Sequence, residues 1–216
     1  MQGSAREPLT SERIIDAALR IIDDEGLRAL TMRRLGQALG VEAMSLYHHL
    51  PGKAAVLSGV AEALLSGLRL EATNGGSWQD RMRQLARAYR GVAHAHPNAF
   101  PLIVMRERQT PQVTRLFDLT ARICRDAGAS DDDALNVFLT LGGFVSGFAL
   151  FEIGGFFTLT GEPSPNLADC QPLASAGSER SLAPGDAQFE LGVTTILAGL
   201  AEQFARRAAG AGANPA

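Results

Sequence analysis

Two short amphipathic segments joined by a tight turn constrain the fold of this chain more than any other feature. Residues 30–50 read LTMRRLGQALGVEAMSLYHHL. Thr31 has the side chain of a helix N-cap, and Gly40 can adopt the left-handed conformation that ends a helix. We therefore predict a helix over residues 31–39, a turn at Gly40 and a helix over residues 43–48, which is the layout of a helix-turn-helix.

The two faces of this motif differ in character. The apolar positions fall where the helices would face each other, and we expect them to form a buried wedge that fixes the angle between the helices. The wedge consists of Leu35, Leu39, Val41 and Leu46. The outward positions of the second helix can enter the major groove of DNA, where a recognition helix reads base edges. They are Ala43, Met44, Ser45, Tyr47 and His48.

Two of these outward positions also have simpler interpretations. The ring of Tyr47 could pack in the core while its hydroxyl reaches outward, and His48 could be a solvated surface side chain. Next to the motif, Thr31 offers a hydroxyl and Lys53 a charge to the phosphate backbone. Such contacts would position the protein on DNA without reading its sequence.

The charge distribution favours a nucleic-acid partner for the motif. The whole chain has a formal net charge of -3. Residues 27–53, however, carry four basic side chains and one acidic side chain, which gives a local charge of +3. A local patch is sufficient for phosphate contact, because each neutralised phosphate releases counterions wherever the remaining charge lies.

The rest of the chain is predicted to be helical as well. Apolar residues recur at helical spacing, and alternating strand patterns are scarce. Gly26 ends the first helix and Pro97 ends the fifth. The sequence therefore predicts an all-α fold. Outside the motif, the predicted helices span residues 10–25, 53–70, 77–96, 99–108, 111–126, 130–152 and 186–207.

Two other classes of protein compete with a DNA-binding protein. An enzyme is disfavoured because the sequence has no nucleophile motif, no glycine-rich phosphate loop and no metal-ligand spacing. The feature that favours a membrane-linked protein is the apolar span 134–151, which is long enough to cross a bilayer. Acidic residues flank that span, so we predict a helix buried in the protein core. Cys124 and Cys170 are too few for a disulfide framework, which fits a cytoplasmic protein.

Residues 9–65 resemble the DNA-binding domain of the tetracycline-repressor (TetR) family of transcriptional regulators. The resemblance lies in the segments TMRRL, GV and SLYHH of the motif and in the lysine that follows it. It implies an N-terminal three-helix helix-turn-helix domain, joined by a long helix to a C-terminal helical domain that dimerises and binds a ligand. It also implies a base contact by Arg33, groove contacts by Ala43, Met44 and Ser45, and contacts to base edges and backbone by Tyr47, His48 and Lys53.

The remainder of the chain is similar to the tetracycline-repressor branch in helix order and in the segment LGGF at residues 141–144. In the metal-dependent members of that branch, a metal-binding histidine falls near His96, but Phe151 falls near its acidic partner. We therefore predict no metal and no cofactor. A small, largely apolar or aromatic inducer is expected instead, in a pocket with apolar walls and few polar groups. The candidate residues are Trp78, Met82, Tyr89, His94, His96, Met105, Phe144 and Phe148, although the phenylalanines could equally be plain core.

The last predicted helix carries an apolar stripe that is too wide to leave in water. We expect it to form a four-helix bundle with the long apolar helix and with a second copy of the chain, because a two-fold contact is the default for homo-oligomers. The predicted dimerisation residues are Gly143, Gly147, Phe189, Val193, Ile196, Leu197 and Leu200.

The sequence thus predicts a dimeric repressor that an inducer releases from a palindromic operator. An activator or dual regulator of the same family remains an alternative, and a helical enzyme is a more remote one. A break in the helical periodicity at residues 71–76 indicates the domain boundary. The predicted organisation is a flexible arm over 1–8, a DNA-binding domain over 9–70, a ligand-binding and dimerisation domain over 71–208 with a flexible loop at about 158–187, and a disordered tail over 209–216.

Overall fold

The computed structural model describes residues 8–68, 75–105, 111–154 and 185–211, and all regular secondary structure in these ranges is helical. The all-α prediction is therefore confirmed for the described part of the chain. The helices are α1 Ser11–Glu25, α2 Met32–Leu39, α3 Ala43–Tyr47, α4 Lys53–Ser66, α5 Trp78–Ala95, α6 Pro101–Met105, α7 Pro111–Arg125, α8 Asp131–Ile153 and α9 Asp186–Ala211.

The helix starts follow the predicted caps. The Thr10 side chain accepts a hydrogen bond from the Arg13 backbone N–H at 3.2 Å. At the start of α8, Ser130 and Asp133 form a capping box, in which each side chain accepts a bond from the other residue's backbone N–H. These bonds satisfy N–H groups that have no partner inside the helix, which is why the first turns form where the sequence predicts them.

The first of two compact units contains the chain up to Leu68 together with Ala95–Thr114. Helix α1 packs against α2 and α4, and α4 also packs against α6. The sequence predicts one boundary, at residues 71–76. In the structure, the segment Ala95–Thr114, which follows α5, also belongs to the first unit. Its core is formed by buried apolar side chains, among them Ile14, Ile22, Leu30, Leu35, Leu46, Val56, Val60 and Phe100.

The second unit contains Arg69–His94 and the chain from Arg115 onward. In it α8 packs against α9. Its core includes Met82, Leu85, Ile123, Val137, Leu141, Val145, Phe189, Val193 and Leu197. At one end of the unit, Arg207 of α9 donates a hydrogen bond to the buried carboxylate of Asp133 at the start of α8.

Helix α8 is long and apolar enough, by length and composition, to cross a membrane. In the single chain, only part of its surface is buried. Val137, Leu141 and Val145 are buried on one face, while Leu135 and Leu139 on another face are about half exposed. Its apolar surface therefore exceeds what the second unit covers.

Several predictions lie outside the described residues. These are most of the N-terminal arm, part of the break at residues 71–76, the end of the predicted 99–108 helix, nearly all of the 158–187 loop, and the tail beyond residue 211.

Candidate nucleic-acid interface and ligand cluster

Helices α2 and α3 form the predicted helix-turn-helix, and two glycines determine its tight connection. Gly40 has φ +66° and ψ +33°, the left-handed conformation that glycine adopts without steric cost. A side-chain carbon at Gly36 would lie 2.9 Å from the backbone oxygen of Val41 and 3.3 Å from the Ala43 nitrogen. Helix α2 can therefore approach the turn this closely only with glycine at position 36, a requirement that the helical pattern of the sequence does not reveal.

The wedge between the two helices forms as predicted at its centre. Leu35 and Leu46 are completely buried. Leu39 and Val41 are half-buried at its edge. Apolar burial on one side of α3 leaves the opposite side free to carry other side chains outward.

The outer face of α3 is exposed. The exposed fraction is 70% for Met44 and 46% for Tyr47, and His48 is exposed as well. Ala43 and Ser45 are half-buried on the same short helix. A protein that only needed to be soluble would not gain from exposing a methionine and a tyrosine side by side, so this face is the candidate interface.

The two arginines that follow Thr31 have different surroundings. The Arg34 guanidinium donates two hydrogen bonds to the Glu25 carboxylate, with Nε–Oε2 3.2 Å and Nη2–Oε1 2.5 Å. This pairing raises the pKa of Arg34 and lowers the pKa of Glu25. Arg33 is exposed. Arg34 thus holds α2 to the end of α1, and Arg33 is the arginine available to a partner.

The two predicted phosphate-contacting residues lie at helix starts. The hydroxyl oxygen of Thr31 accepts a hydrogen bond from the Arg34 N–H at 3.0 Å, so it caps α2. Lys53 is exposed at the first position of α4. The carbonyl of Gly52, just before it, accepts a hydrogen bond from the Val56 N–H.

Five of the eight predicted pocket residues lie in one apolar cluster of the second unit: Trp78, Met82, Tyr89, Phe144 and Phe148. The rings of Phe144 and Phe148 are 5.5 Å apart, and Phe148 lies 5.5 Å from Phe189. The Tyr89 hydroxyl accepts a hydrogen bond from Ser146 at 3.3 Å. Burial raises the pKa of Tyr89, so its hydroxyl stays neutral.

The other three predicted pocket residues are not part of that cluster. His94 is half exposed, with its Nε2 3.3 Å from the Glu152 carboxylate. His96 belongs to the first unit, where its Nδ1 lies 2.8 Å from Asp23 Oδ2. Met105 also belongs to the first unit and is 81% exposed. A single pocket that contains all eight residues stays a prediction, because hydropathy and spacing do not show which unit a residue joins.

A buried ion pair beside the cluster was not predicted. Arg90 donates two hydrogen bonds to Glu152, with Nε–Oε2 2.8 Å and Nη2–Oε1 2.6 Å, and a third to Asp186 at 2.7 Å. Its guanidinium carbon lies 4.6 Å from the centre of the Phe189 ring. The bonds to Glu152 raise the pKa of Arg90 above its ordinary value. Because Arg90 and Glu152 are 62 positions apart, no local sequence signal could have revealed the pair.

The predicted dimerisation residues separate into inner and outer sets. Phe189, Val193, Leu197 and Leu200 are buried within their own unit, and their contact with a partner chain stays a prediction. Ile196 is half-buried. A side-chain carbon at Gly143 or Gly147 would meet no atom within 4 Å, so both glycines lie on an open surface.

A groove of about 360 Å³ runs between α8 and α9. It is lined by Asn136, Thr140, Thr195, Ile196, Gly199, Leu200, Gln203 and Arg207. Leu191 of α9 is two-thirds exposed. Among the described residues, no group of three or more His, Cys, Asp or Glu side chains could hold a metal ion.

Comparison with known sequence families matches most of the chain to one family of proteins. Residues 14–60 match the sequence family described as bacterial regulatory proteins, tetR family, and residues 70–204 match the family described as tetracyclin repressor-like, C-terminal domain. The tetracycline repressor protein class A from transposon 1721 of Escherichia coli is 30% identical over 90% of this chain and 92% of its own length.

Two solved structures have a similar fold. ActR from Streptomyces coelicolor, in complex with actinorhodin, has a TM-score of 0.73 and 29% identity, covering 89% of this chain and 95% of ActR. BioQ with its double-stranded DNA operator has a TM-score of 0.64 and 26% identity, covering 90% of this chain and 99% of BioQ.

Proposed function

This chain belongs to the tetracycline-repressor family of DNA-binding transcriptional regulators, and on that premise we propose that it is a cytoplasmic, dimeric repressor that a small molecule releases from its operator. The observation that carries the proposal is the outer face of α3, which is exposed over a wedge whose centre, Leu35 and Leu46, is completely buried. A rigid short helix with outward side chains is the structure that major-groove reading requires.

The proposed DNA contacts divide into two kinds. Arg33 and the outward residues of α3 are proposed to contact base edges, because an arginine can bond guanine with two donors and a methionine or tyrosine can contact apolar base edges. Thr31 and Lys53 are proposed to contact phosphates. The base-contacting set is Arg33, Ala43, Met44, Ser45, Tyr47 and His48. The DNA-bound structure of BioQ supports this use of the fold.

A second copy of the chain is the proposed occupant of the α8–α9 groove. The exposed surface of these helices combines large apolar side chains with glycines, which allow two helices to approach closely. In a two-fold dimer, the same surface of each chain contacts its counterpart. Gly143, Gly147 and Ile196 remain in the proposed interface, and the residues Leu135, Leu139, Leu191, Thr195 and Gly199 join it.

The aromatic cluster of the second unit is the proposed ligand site. Its walls are apolar, and the Tyr89 hydroxyl, the Arg90–Glu152 pair and His94 are the polar groups beside them. Pockets for small molecules combine such walls with a few placed polar groups. The ligand-bound structure of ActR supports this assignment, and a largely apolar, aromatic molecule with one or two polar groups suits the cluster.

Selection of bound sequences from random and genomic DNA pools tests the proposed function. We expect enrichment of a palindrome whose half-sites lie about one helical turn apart. A variant with Met44→Ala and Tyr47→Ala should keep its fold and lose the enrichment, because both side chains are exposed. If the folded wild-type chain enriches no sequence, the proposed function is refuted. The position of the genomic site relative to its promoter then separates a repressor from an activator.

A further inference from the structure

His96 makes a contact inside the first unit that the proposed DNA-binding and ligand-binding sites do not use. Its Nδ1 lies 2.8 Å from Asp23 Oδ2, and the Asn98 side-chain amide donates a bond to the Asp23 backbone oxygen at 2.9 Å. A carboxylate only accepts hydrogen bonds, so the proton must be on Nδ1 of His96. The segment after α5 is therefore bound to α1 through both the side chain and the backbone of one aspartate.

Both partners of this contact are held rigidly. The His96 carbonyl accepts hydrogen bonds from the N–H groups of Ala99 and Phe100, at 3.1 and 2.8 Å, and these two residues are completely buried. The second carboxylate oxygen of Asp23 is buried and has no hydrogen-bond partner among the described residues. When the His96–Asp23 bond opens, the Asp23 carboxylate loses its side-chain hydrogen-bond donor. The cost of leaving this carboxylate unpaired therefore favours the closed contact.

The position of His96 in the chain gives the contact a further consequence. Helix α5 runs without interruption from Trp78 to Ala95 and carries Tyr89 and Arg90 of the proposed ligand site. His96 is the first residue after that helix. A helix is a stiff element and α5 leads directly into His96, so the bond to Asp23 adds a side-chain link between the end of α5 and α1 to the link made by Asn98.

We propose that His96 is a positioning residue whose bond to Asp23 couples DNA binding by the first unit to the end of α5. This inference rests on the proposed DNA-binding function. It assigns His96 to the coupling between the two sites, because the bond of its Nδ1 atom to Asp23 fixes the imidazole ring within the first unit. Coupling of this kind acts equally in both directions, so it can be measured from the DNA side without knowledge of the ligand.

Hydrogen exchange of the full chain, with and without the selected palindromic duplex, tests the proposal. In the wild type we expect DNA to slow exchange in α1–α4, in residues 98–105 and in the last turns of α5. In His96→Ala we expect slowing in α1–α4 to persist, while the slowing at the end of α5 is lost. Without DNA, exchange in residues 98–105 of His96→Ala should be about tenfold faster than in the wild type.

Two isosteric variants separate positioning from general damage. An asparagine side chain at position 96 places an amide where Nδ1 lies, whereas a glutamine side chain places its amide near Nε2. His96→Asn should therefore retain the wild-type exchange pattern, and His96→Gln should behave as His96→Ala does. Asp24→Ala is the matched control, because it removes the neighbouring, exposed aspartate. This control should not change exchange in residues 98–105.

The outcomes distinguish this inference from the function on which it rests. If no form of the chain binds selected DNA, the proposed function is refuted and the coupling role with it. If the wild type binds DNA but His96→Ala shows the same slowing at the end of α5, only the coupling role is refuted. The coupling role is also refuted if His96→Asn and His96→Gln behave alike, since the bond at Nδ1 would then be irrelevant.

Discussion

The two units of this chain are stabilised in different ways. The first unit owes its DNA-reading face to contacts between residues close in sequence, such as Gly36 against Val41 and the Thr31 cap on Arg34. The second unit depends on an aromatic cluster and on ion pairs between distant residues, such as Arg90 with Glu152. The geometry of α2 and α3 can therefore be predicted from the local sequence, whereas the arrangement of the second unit depends on the folded chain.

The largest effect should come from removing Glu152. Glu152→Ala removes the main partner of the Arg90 guanidinium and leaves it with Asp186 alone, and breaking a buried pair from one side costs about 3–5 kcal/mol, so for this part-buried pair we expect the lower end of that range. The only tryptophan, Trp78, lies in the second unit, so its fluorescence during urea unfolding reports on that unit. Combining Arg90→Met with Glu152→Leu should recover much of the loss. A midpoint for Glu152→Ala equal to that of the wild type would contradict the energetic role of the pair.

A destabilising substitution in the core of the first unit should not change the urea midpoint that Trp78 fluorescence reports. Leu46→Ala empties part of the buried wedge and should cost about 2–5 kcal/mol in the first unit. Circular dichroism should show the early loss of helix, while the Trp78 transition stays near its wild-type midpoint. Met44→Ala is the matched control, and it should be neutral within about 0.5 kcal/mol because Met44 is exposed. If both probes shift together, the two units do not unfold independently.

Substitutions of Arg33 and Arg34 should separate an effect on DNA affinity from an effect on the stability of the first unit. Arg33→Ala should weaken binding to the selected operator by about 1–3 kcal/mol and relax the preference at one base pair. Lys53→Ala should weaken all sequences alike and reduce the salt dependence. Arg34→Ala should instead affect mainly the stability of the first unit, because its guanidinium is bonded to Glu25. Titrations with operator and scrambled duplexes over a range of salt concentrations measure each effect.

The smallest expected effect concerns an exposed pair of the second unit. The hydrogen bonds from Arg87 lower the pKa of Glu190 below its ordinary value of 4.5. The pair therefore stabilises the folded state above about pH 4.5, and this contribution is lost as the pH falls through the lowered pKa. Glu190→Gln should cost no more than about 1 kcal/mol at pH 7 and should flatten the acid limb of the stability profile. Glu202→Gln, in a more exposed pair within α9, is the control and should change less.

The sequence predicted the first unit well because its determinants are local. The starts of α1 and α2 follow from caps within three residues, and the wedge follows from helical spacing. An apolar stripe does not say what covers it, which is why Phe189 and Leu197 were assigned to a partner chain although they pack within their own. His96 and Asp23 are 73 positions apart, and only the folded chain brings them together.

Sedimentation of the full chain on DNA tests the central claim most directly. The selected palindromic duplex is compared with a duplex of equal length in which one half-site is scrambled. We predict two chains per palindromic duplex and strongly reduced binding to the single half-site, because two linked contacts bind far more tightly than one. Binding of one chain per duplex, with equal affinity for the palindrome and the single half-site, would contradict the dimeric regulator proposed here.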